Sequence, residues 1–410
     1  MKIIVAALYA TIYFFAEAKM ITIIKGGEVY SPKYLGKKDI VISGNTIEGI
    51  YDSADLNSQN VKINIIDAVG KIVTPGFIDS HVHITGGGGE GGFKTRTPEI
   101  QLSEIITGGI TSVVGCLGTD EVTRNMTALL AKANALEEEG ITTYLYTGSY
   151  KIPAVTLTGN CRSDLIIINK IIGVGEVALS DNRSAQPTFE EFAKLAADAR
   201  VGGLLSGKAG IVHVHMGDGI KGLQYLRELA EKTEIPITQA IPTHVNRNIN
   251  LFKEAISYAK EGGIIDLTTS SDPNFLEKDE VKASNGLKMV IDAGIGIEHV
   301  HFSSDAQGSM PVFNDKKEFI GLGIGSIKSL FREVSDAVIK DGVKLEDALK
   351  VVTSNVSAHL KLKGKGKIDN DYDADILILN KEDLSIRDVL SKGKIMMLDG
   401  KLEVKGTFER

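Results

Sequence analysis

The chain has 410 residues, of which 43% are hydrophobic and 24% charged, and its formal net charge is −7. This length suits one large domain with a smaller one. Because no basic stretch interrupts the acidic average, a nucleic-acid-binding role is excluded. The cysteines, Cys116 and Cys161, are far apart and form no CxxC motif. They argue against a disulfide scaffold and indicate two reduced, buried thiols in a cytoplasmic protein.

The first 19 residues differ from the rest of the chain. They contain an apolar run of about a dozen residues followed by Ala-Glu-Ala, which is the outline of a secretory signal peptide. The run is too short for a membrane-spanning helix, and we expect no membrane association. The alternative is an upstream extension with Met20 as the working start, because MITIIKGGEVYSP already predicts a clean first strand. We favour the extension, although the signal-like outline leaves secretion open, and residues 1–19 are set aside.

Two β-rich segments flank a different middle region. In residues 20–75, short runs of β-forming residues such as ITIIKGGEVYSP and DIVISGNTIEGIY alternate with turn signals, and the same pattern recurs over residues 359–410. This arrangement predicts one small β-sandwich domain that is built from both termini.

The middle region, residues 76–358, repeats a strand-then-helix pattern. Eight short apolar runs end in Gly, Ser, Thr or His, and most are followed by amphipathic stretches such as LQYLRELAEKTE. One helix start is well marked, because Thr188 and Glu191 form a capping box. Repeated βα alternation over this length predicts a (β/α)8 TIM-like barrel of the α/β class, with a doubly wound open sheet as the alternative.

Barrels carry their chemistry where the strands end, so the last residues of each run are the candidates for a site. Two histidines one residue apart share one face of a strand and can reach one ion. The runs deliver imidazoles and carboxylates, which are ligands for divalent metals: His81, His83, Glu176, His215, His244 and Asp305, with Tyr150 at the end of the third run.

The other four histidines are interpreted as packing residues. His301 lies about four residues, or roughly 13 Å, below Asp305 along an extended strand, which is too far to share an ion. His213 lies one inward-facing layer below His215. We interpret His299 as structural and place His359 in a late helix, unrelated to the site.

These residues resemble the amidohydrolase superfamily, and within it the isoaspartyl (β-aspartyl) dipeptidases. The resemblance runs from about residue 20 to the end. Its narrow motifs are the glutamate that follows a glycine run in PGFIDSHVHITGGGGE, and the stretch PTHVNRN. Broader support comes from TGSY, SDNRS, HMGD, SSDAQGS and the tail GKGKIDNDYDADILIL.

The resemblance implies a binuclear zinc site, with cobalt or manganese as possible substitutes. His81, His83 and Asp305 would hold the more buried ion, and His215 and His244 the other. Many relatives bridge the ions with a carboxylated lysine. Here Glu176 stands in that place, so no carboxylated lysine is expected. The alternative is a structural ion pair at Glu176 and a single metal.

For such a site the resemblance implies hydrolysis of the β-aspartyl amide bond of isoaspartyl dipeptides by a hydroxide shared between the ions. Asp305 would pass the proton to the leaving amine, and Tyr150 would stabilise the oxyanion. Glu90 would receive the substrate α-amine, and Arg183 and Arg247 its carboxylates. Further hydrogen bonds to the substrate would come from Thr119, Ser309 and the backbone of Gly88.

Two other functions stay open. A cyclic amidase of the dihydroorotase or hydantoinase type would act on substrates that lack the free α-amine, which would leave Glu90 without a partner. A non-catalytic scaffold on the same fold would have no need for a ligand at every strand end. The resemblance also implies a homo-oligomer, such as an octamer, that acts on a small-molecule dipeptide.

Overall fold

The computed structural model describes residues 20–56, 62–271, 279–313 and 319–409. The signal-like or upstream segment, residues 1–19, lies outside the described residues, as do four further short stretches. Within the described parts of the chain, no helix combines the length and apolar character needed to cross a bilayer.

The chain enters through five strands that are rich in isoleucine and valine. Their buried positions carry β-branched side chains, which suit a pleated surface with one face covered. The strands are β1 (Ile21–Tyr30), β2 (Tyr34–Ser43), β3 (Thr46–Tyr51), β4 (Ile63–Asp67) and β5 (Lys71–Pro75).

The middle of the chain alternates strands with helices, as its sequence predicts. Most of its strands are buried throughout, which is the pattern of parallel strands covered on both faces. They are β6 (Phe77–Val82), β7 (Ile110–Gly115), β8 (Thr142–Thr147), β9 (Ile171–Leu179), β10 (Ile211–Met216), β11 (Ala240–Thr243), β12 (Ile265–Thr268) and β13 (Val300–Ser303). An antiparallel hairpin follows, with strands β14 (Ser309–Phe313) and β15 (Phe319–Ile324).

Ten α-helices are described. The predicted capping box is present at the start of the fourth, where Thr188 and Glu191 satisfy each other's backbone N–H groups. The helices are α1 (Leu102–Thr107), α2 (Met126–Glu139), α3 (Cys161–Ile167), α4 (Phe189–Ser206), α5 (Gln224–Lys232), α6 (Ile249–Lys260), α7 (Ala283–Asp292), α8 (Ser329–Ile339), α9 (Leu345–Lys350) and α10 (Ser354–His359). The chain then ends in β16 (Ile376–Asn380), β17 (Ile386–Ser391), β18 (Lys394–Leu398) and β19 (Lys401–Leu402).

The parallel strands form a curled sheet. Strands β6 to β11 lie side by side in sequence order, and β12 pairs with β13. A doubly wound sheet would reverse its strand order, so that alternative is wrong. Between β13 and β6 the described residues show one bridge, Val82 to Ala306, and a hydrogen bond that Ser304 N donates to the Asp79 carboxylate at 3.1 Å. Between β11 and β12 a side-chain hydrogen bond from Thr243 Oγ1 to Asp266 Oδ2, 2.6 Å long, takes the place of a ladder. The mixed α/β architecture is confirmed as a curled parallel sheet.

The small domain is a separate sheet, as predicted, and strands from both termini contribute to it. The join is the antiparallel pairing of β5 with β16, so the chain's return lies beside its entry. In the described residues all nine strands belong to one hydrogen-bonded sheet rather than to two separate ones, in the order β19, β18, β17, β16, β5, β1, β2, β3, with β4 beside β1. Both cysteines are buried and neither forms a disulfide.

Candidate functional site

The six predicted ligands come from five different strands and meet at the carboxyl edge of the curled sheet. Two of them, His244 and Asp305, stand just beyond their strands with φ of 60° and 52°. A non-glycine residue in the left-handed region is strained, and such strain is concentrated at functional sites. These backbone turns direct both side chains back over the strand ends.

Glu176 is the centre of the cluster, and its two carboxylate oxygens face different histidines. Oε1 lies 2.7 Å from His215 Nδ1 and 3.1 Å from His244 Nε2. Oε2 lies 3.3 Å from His81 Nε2 and 3.8 Å from His83 Nε2. One carboxylate thus joins two groups of nitrogen ligands.

Three atoms at this centre are buried and have no hydrogen-bond partner among the described residues: His81 Nε2, Glu176 Oε2 and Asp305 Oδ1. His81 Nε2 lies 3.5 Å from Asp305 Oδ1 as well as 3.3 Å from Glu176 Oε2, so all three atoms border one small space. Unsatisfied buried polar atoms are costly, and an ion is one of the few groups that satisfies nitrogen and carboxylate oxygen together. The residues therefore fit a bound metal ion.

The electrostatics agree with this arrangement. Burial opposes ionisation of Glu176, yet the surrounding imidazoles hold the pKa of this carboxyl well below its ordinary value. Burial, together with the charge of His215, lowers the pKa of His244 to about 3. Glu176 and His244 are therefore in the protonation states that bind a metal ion. Although burial opposes it, neighbouring acidic groups raise the pKa values of His81 and His83 well above the ordinary value, so these two imidazoles must release a proton when an ion binds.

The histidines that were interpreted as packing residues lie below this centre or away from it. His213 Nε2 is 3.1 Å from His81 Nδ1, and it forms a second buried group with His81 and Asp266. His301 Nε2 contacts His359 Nδ1 at 2.7 Å, so these two histidines pair with each other.

A cavity of about 520 Å³ opens above the cluster. The predicted substrate-binding residues all line it: Gly88, Glu90, Thr119, Tyr150, Arg183, Arg247 and Ser309. Four of the predicted ligands reach its floor: His83, His215, His244 and Asp305. Residues that the sequence did not single out line it too, among them Asn246, Ser270, Met310 and Ile324.

Opposite charges face each other across the cavity. Glu90 accepts a 2.9 Å hydrogen bond from Thr119 Oγ1, and Arg183 Nη1 lies 3.5 Å from the same Glu90 oxygen. The side chains of Glu90 and Arg183 are 38% and 36% exposed, so a ligand in the cavity can reach both. The cavity thus presents one anionic and one cationic group a few ångströms apart.

The glycine run that leads to Glu90 is folded rather than loose. Gly86 and Gly88 have φ of 80° and 68°, and a Cβ on Gly86 would lie 2.4 Å from Thr97 O. A Cβ on Gly88 would lie 3.0 Å from Ser309 Cβ. Only glycine allows this path, which brings the loop against the β14 edge of the cavity.

Asp181 is a site residue that the sequence analysis missed. Its Oδ2 lies 3.0 Å from His215 Nε2 and 2.8 Å from Arg183 Nη2. Although burial opposes ionisation, hydrogen bonds from His215 and Arg183 hold the pKa of Asp181 well below its usual range. The sequence did contain a signal for this residue: in SDNRS an aspartate stands two positions before an arginine, just past the end of a strand.

Comparison with known proteins identifies the family of the chain. Residues 72–407, most of its length, match the model of the amidohydrolase family. The chain belongs to the amidohydrolase family. Enzymes of this family are hydrolases and are typically metal-dependent, which agrees with the buried histidine and carboxylate groups described above.

Within the amidohydrolase family the chain is similar to a crystallised β-aspartyl dipeptidase. That enzyme, from Fervidobacterium islandicum AW-1, was solved in complex with β-Asp-Leu dipeptide. It is 44% identical, with a TM-score of 0.87, over 95% of this chain and 100% of that one. The resemblance to β-aspartyl dipeptidases that the sequence motifs indicated is confirmed.

Other amidohydrolases are similar at lower identity. A dihydroorotase of Staphylococcus epidermidis is 35% identical over 91 residues, which is 22% of this chain and only about a fifth (20%) of that protein. A dihydroorotase of Lactobacillus gasseri is 24% identical over 91% of this chain and 93% of its own length. A dihydropyrimidinase of Brevibacillus agri NCHU1002 shares the fold, with a TM-score of 0.66 at 15% identity.

Proposed function

We propose that this amidohydrolase cleaves the β-aspartyl amide bond of isoaspartyl dipeptides and uses two divalent ions, zinc by preference, to do so. The observation that carries the proposal is the division of the Glu176 carboxylate, with Oε1 toward His215 and His244 and Oε2 toward His81 and His83. With Asp305 these residues offer two sets of ligands that share one carboxylate. Because Glu176 is itself a carboxylate, no carboxylated lysine is required.

The cavity supports a small zwitterionic substrate. We infer that Glu90 receives the α-amine and that Arg183 and Arg247 receive carboxylates, because guanidinium forks match carboxylates in shape and charge. The hydroxyls of Thr119 and Ser309 and the backbone of Gly88 would contribute hydrogen bonds to the substrate. The similarity to a β-aspartyl dipeptidase that was crystallised with β-Asp-Leu supports the same substrate class.

When bound, the ions would polarise the amide carbonyl and lower the pKa of water. The chain supplies the remaining chemistry. Asp305, which lines the cavity, takes a proton from the attacking water and returns it to the departing nitrogen. Burial raises the pKa of Tyr150 well above its ordinary value, so its hydroxyl stays protonated and can donate a hydrogen bond to the carbonyl oxygen as negative charge develops there.

The dihydroorotase relatives support a second candidate, a cyclic amidase. Such substrates carry no free α-amine, so they would offer Glu90 no cation of their own in place of Arg183. The position of Glu90 beside Arg183 therefore favours the dipeptide. We further infer a closed (β/α)8 barrel over residues 76–358, a small β domain formed by residues 20–75 and 359–410, a cytoplasmic location and a homo-oligomeric assembly such as an octamer.

One experiment separates the candidates. Purified protein is analysed for metal content and then assayed with β-Asp-Leu, α-Asp-Leu and dihydroorotate. The proposal expects about two ions per chain, by analogy with two-metal hydrolases, and cleavage of β-Asp-Leu alone. Cleavage of dihydroorotate without β-Asp-Leu would establish the cyclic amidase, and metal-free protein that is inactive on all three would favour a scaffold.

A further inference from the structure

We propose that Asp181 is a positioning residue that couples the metal-binding side of the site to its carboxylate-binding side. Its Oδ2 accepts hydrogen bonds from His215 Nε2 at 3.0 Å and from Arg183 Nη2 at 2.8 Å. Its Oδ1 accepts from Arg183 Nε at 2.9 Å and from Arg183 N at 2.7 Å. The inference rests on the proposed function only where it assigns Arg183 to a substrate carboxylate.

Asp181 is held firmly enough to orient its partners. Its side chain is 5% exposed, and it follows β9 directly after Ser180, whose φ is 53°. The loop after β10 passes so close that a Cβ on Gly217 would lie 2.5 Å from Asp181 Cβ. Gln186 Nε2 donates to Asp181 O at 2.8 Å, which anchors the backbone from the other side. Because the loops after β9 and β10 fix the Asp181 carboxylate, the side chains of His215 and Arg183 that donate to it are held in fixed orientations.

The first consequence concerns His215. A neutral imidazole carries one proton, and an acidic acceptor stands at each ring nitrogen: Asp181 at Nε2, 3.0 Å away, and Glu176 at Nδ1, 2.7 Å away. If the proton stood on Nδ1, the Nε2 lone pair would face the Asp181 carboxylate, and the two would repel. Glu176 would repel an Nδ1 lone pair in the same way, but the Tyr150 hydroxyl, 2.8 Å from Nδ1, can donate to that lone pair. Asp181 and Tyr150 together therefore keep the proton on Nε2 and the Nδ1 lone pair directed at the centre, as second-sphere groups do for metal-binding histidines.

The second consequence concerns the arginines. Asp181 occupies the Nε–Nη2 edge of the Arg183 fork, so the remaining Nη1 is directed toward Glu90, 3.5 Å away, and the cavity. Arg247 Nη1 also approaches Asp181 Oδ2, at 3.8 Å. The buried negative charge offsets the repulsion between two guanidinium groups that would otherwise push each other apart. A single carboxylate thus sets both the histidine tautomer and the geometry of the carboxylate clamp.

Two variants test this coupling. In Asp181→Asn the amide NH2 must replace either Oδ1 or Oδ2, and both oxygens accept two hydrogen bonds, so one set of partners is lost whichever way the amide turns. Asp181→Ala removes both sets. The control is Asp218→Asn, which alters a cavity carboxylate that lies 4.0 Å from Arg247 and is 67% exposed, but which does not contact His215.

The measurements use the full chain as purified. With ¹⁵N-labelled histidine, NMR should show the His215 proton on Nε2 in the wild type and in Asp218→Asn. In Asp181→Ala that Nε2–H signal should be lost or exchange rapidly with water, and zinc release to a chelator should become at least about tenfold faster. Succinate, a dicarboxylate probe for the arginines, should bind at least about tenfold more weakly by calorimetry.

Asp181→Asn should lose the Nε2 proton of His215, the affinity for succinate, or both, and it decides the question if Asp181→Ala does not fold. A wild-type His215 proton on Nδ1, or an Asp181 variant that keeps both the tautomer and succinate affinity, overturns the inference. Neither readout needs dipeptide turnover. Failure to cleave β-Asp-Leu would therefore refute the proposed function without touching the role of Asp181.

Discussion

Replacing Glu176 tests the shared-carboxylate site directly, and two substitutions separate charge from reach. Glu176→Gln keeps the length of the side chain but removes its charge and one acceptor oxygen. Whichever way the amide is turned, its NH2 group faces nitrogen lone pairs that should serve as ligands, those of His215 and His244 on one side or His81 on the other. Glu176→Asp keeps the charge but loses one methylene.

The size of the effect follows from the distances. One C–C bond of about 1.5 Å is removed in Glu176→Asp, so the 2.7 Å separation from His215 Nδ1 grows to roughly 4 Å. A zinc–oxygen bond needs about 2.0–2.2 Å. The shortened carboxylate therefore reaches one set of ligands at most. Both variants should bind one ion or fewer per chain, and kcat/KM for β-Asp-Leu should fall by about 10³-fold or more, which is about 4 kcal/mol of transition-state stabilisation.

The assay is elemental analysis after dialysis, paired with hydrolysis of β-Asp-Leu with and without bicarbonate. Bicarbonate should not change wild-type activity, because no lysine has to be carboxylated. The control is Asp266→Asn, which alters a fully buried carboxylate grouped with His81 and His213 below the centre. It should keep both ions. Two ions and near-normal activity in Glu176→Gln would refute the shared carboxylate, and metal loss in Asp266→Asn alone would move the ion to the lower group.

Three other predictions concern recognition and stability. Glu90→Gln should lower kcat/KM for β-Asp-Leu by about 10²-fold, because it loses one charge-assisted contact of about 2–3 kcal/mol. Hydrolysis of succinyl-leucine, which lacks the amine, should be nearly unchanged, and equal losses on both substrates would contradict amine recognition. Lys365→Met should lower the free energy of unfolding by about 3 kcal/mol, measured by urea titration, because it leaves Asp373 and Asp375 without their cation; their carboxylates lie 2.8 and 2.6 Å from Lys365 Nζ. An unchanged midpoint would show that these ion pairs do not stabilise the fold. Burial opposes ionisation of Glu137, but Lys170 and Lys392 lower its pKa to about 2 from an ordinary 4.5, so the stability it contributes is complete above pH 4.5 and is lost as the pH falls toward 2. Since the Glu137 side chain is 34% exposed, solvent screening reduces that contribution to about 1 kcal/mol. The difference in urea midpoint between wild type and Glu137→Gln should therefore shrink as the pH falls from 5 to 3. A difference that grows over this range would show that ionised Glu137 does not stabilise the folded state.

The strand ends were the informative part of the sequence. In a curled parallel sheet the carboxyl ends of all strands point to one edge, so residues such as His81, Glu176 and Asp305 could be grouped before any contact was known. The spacing along the strand separated His301 from the cluster, since it lies four residues before Asp305, and the structure pairs it with His359 instead. Which carboxylate oxygen faces which imidazole could not be predicted, because that depends on side-chain rotamers and on the left-handed turns at His244 and Asp305.

Asp181 shows why the second layer of a site is harder to predict. Its contact with His215 depends on the pairing of β9 with β10, which sets Ala178 beside His215 and carries the chain past that strand end. Its contact with Arg183 depends on a turn that folds the arginine back over two residues. Neither fact is visible in hydrophobic periodicity. The hairpin of β14 and β15 was missed for a similar reason, because its strands are short and lack a clear polar alternation.

The pairing of Glu90 with Arg183 bears on which substrates the cavity can accept. At 3.5 Å, and with both side chains about a third exposed, the two charges partly satisfy each other. A substrate that enters between them must replace that interaction. A β-aspartyl dipeptide, whose free amine and carboxylate are attached to the same carbon, gives each residue a new partner of opposite charge, so separation of the pair costs little. A neutral ring such as a hydantoin offers neither, and its binding would leave two charges unpaired in a cavity from which it also excludes water. Dihydroorotate carries a carboxylate but no amine, so its binding would leave Glu90 unpaired. We therefore expect the ion pair to disfavour rings that lack an amine before any bond is broken, whereas the histidine cluster beneath it is compatible with both classes of amide.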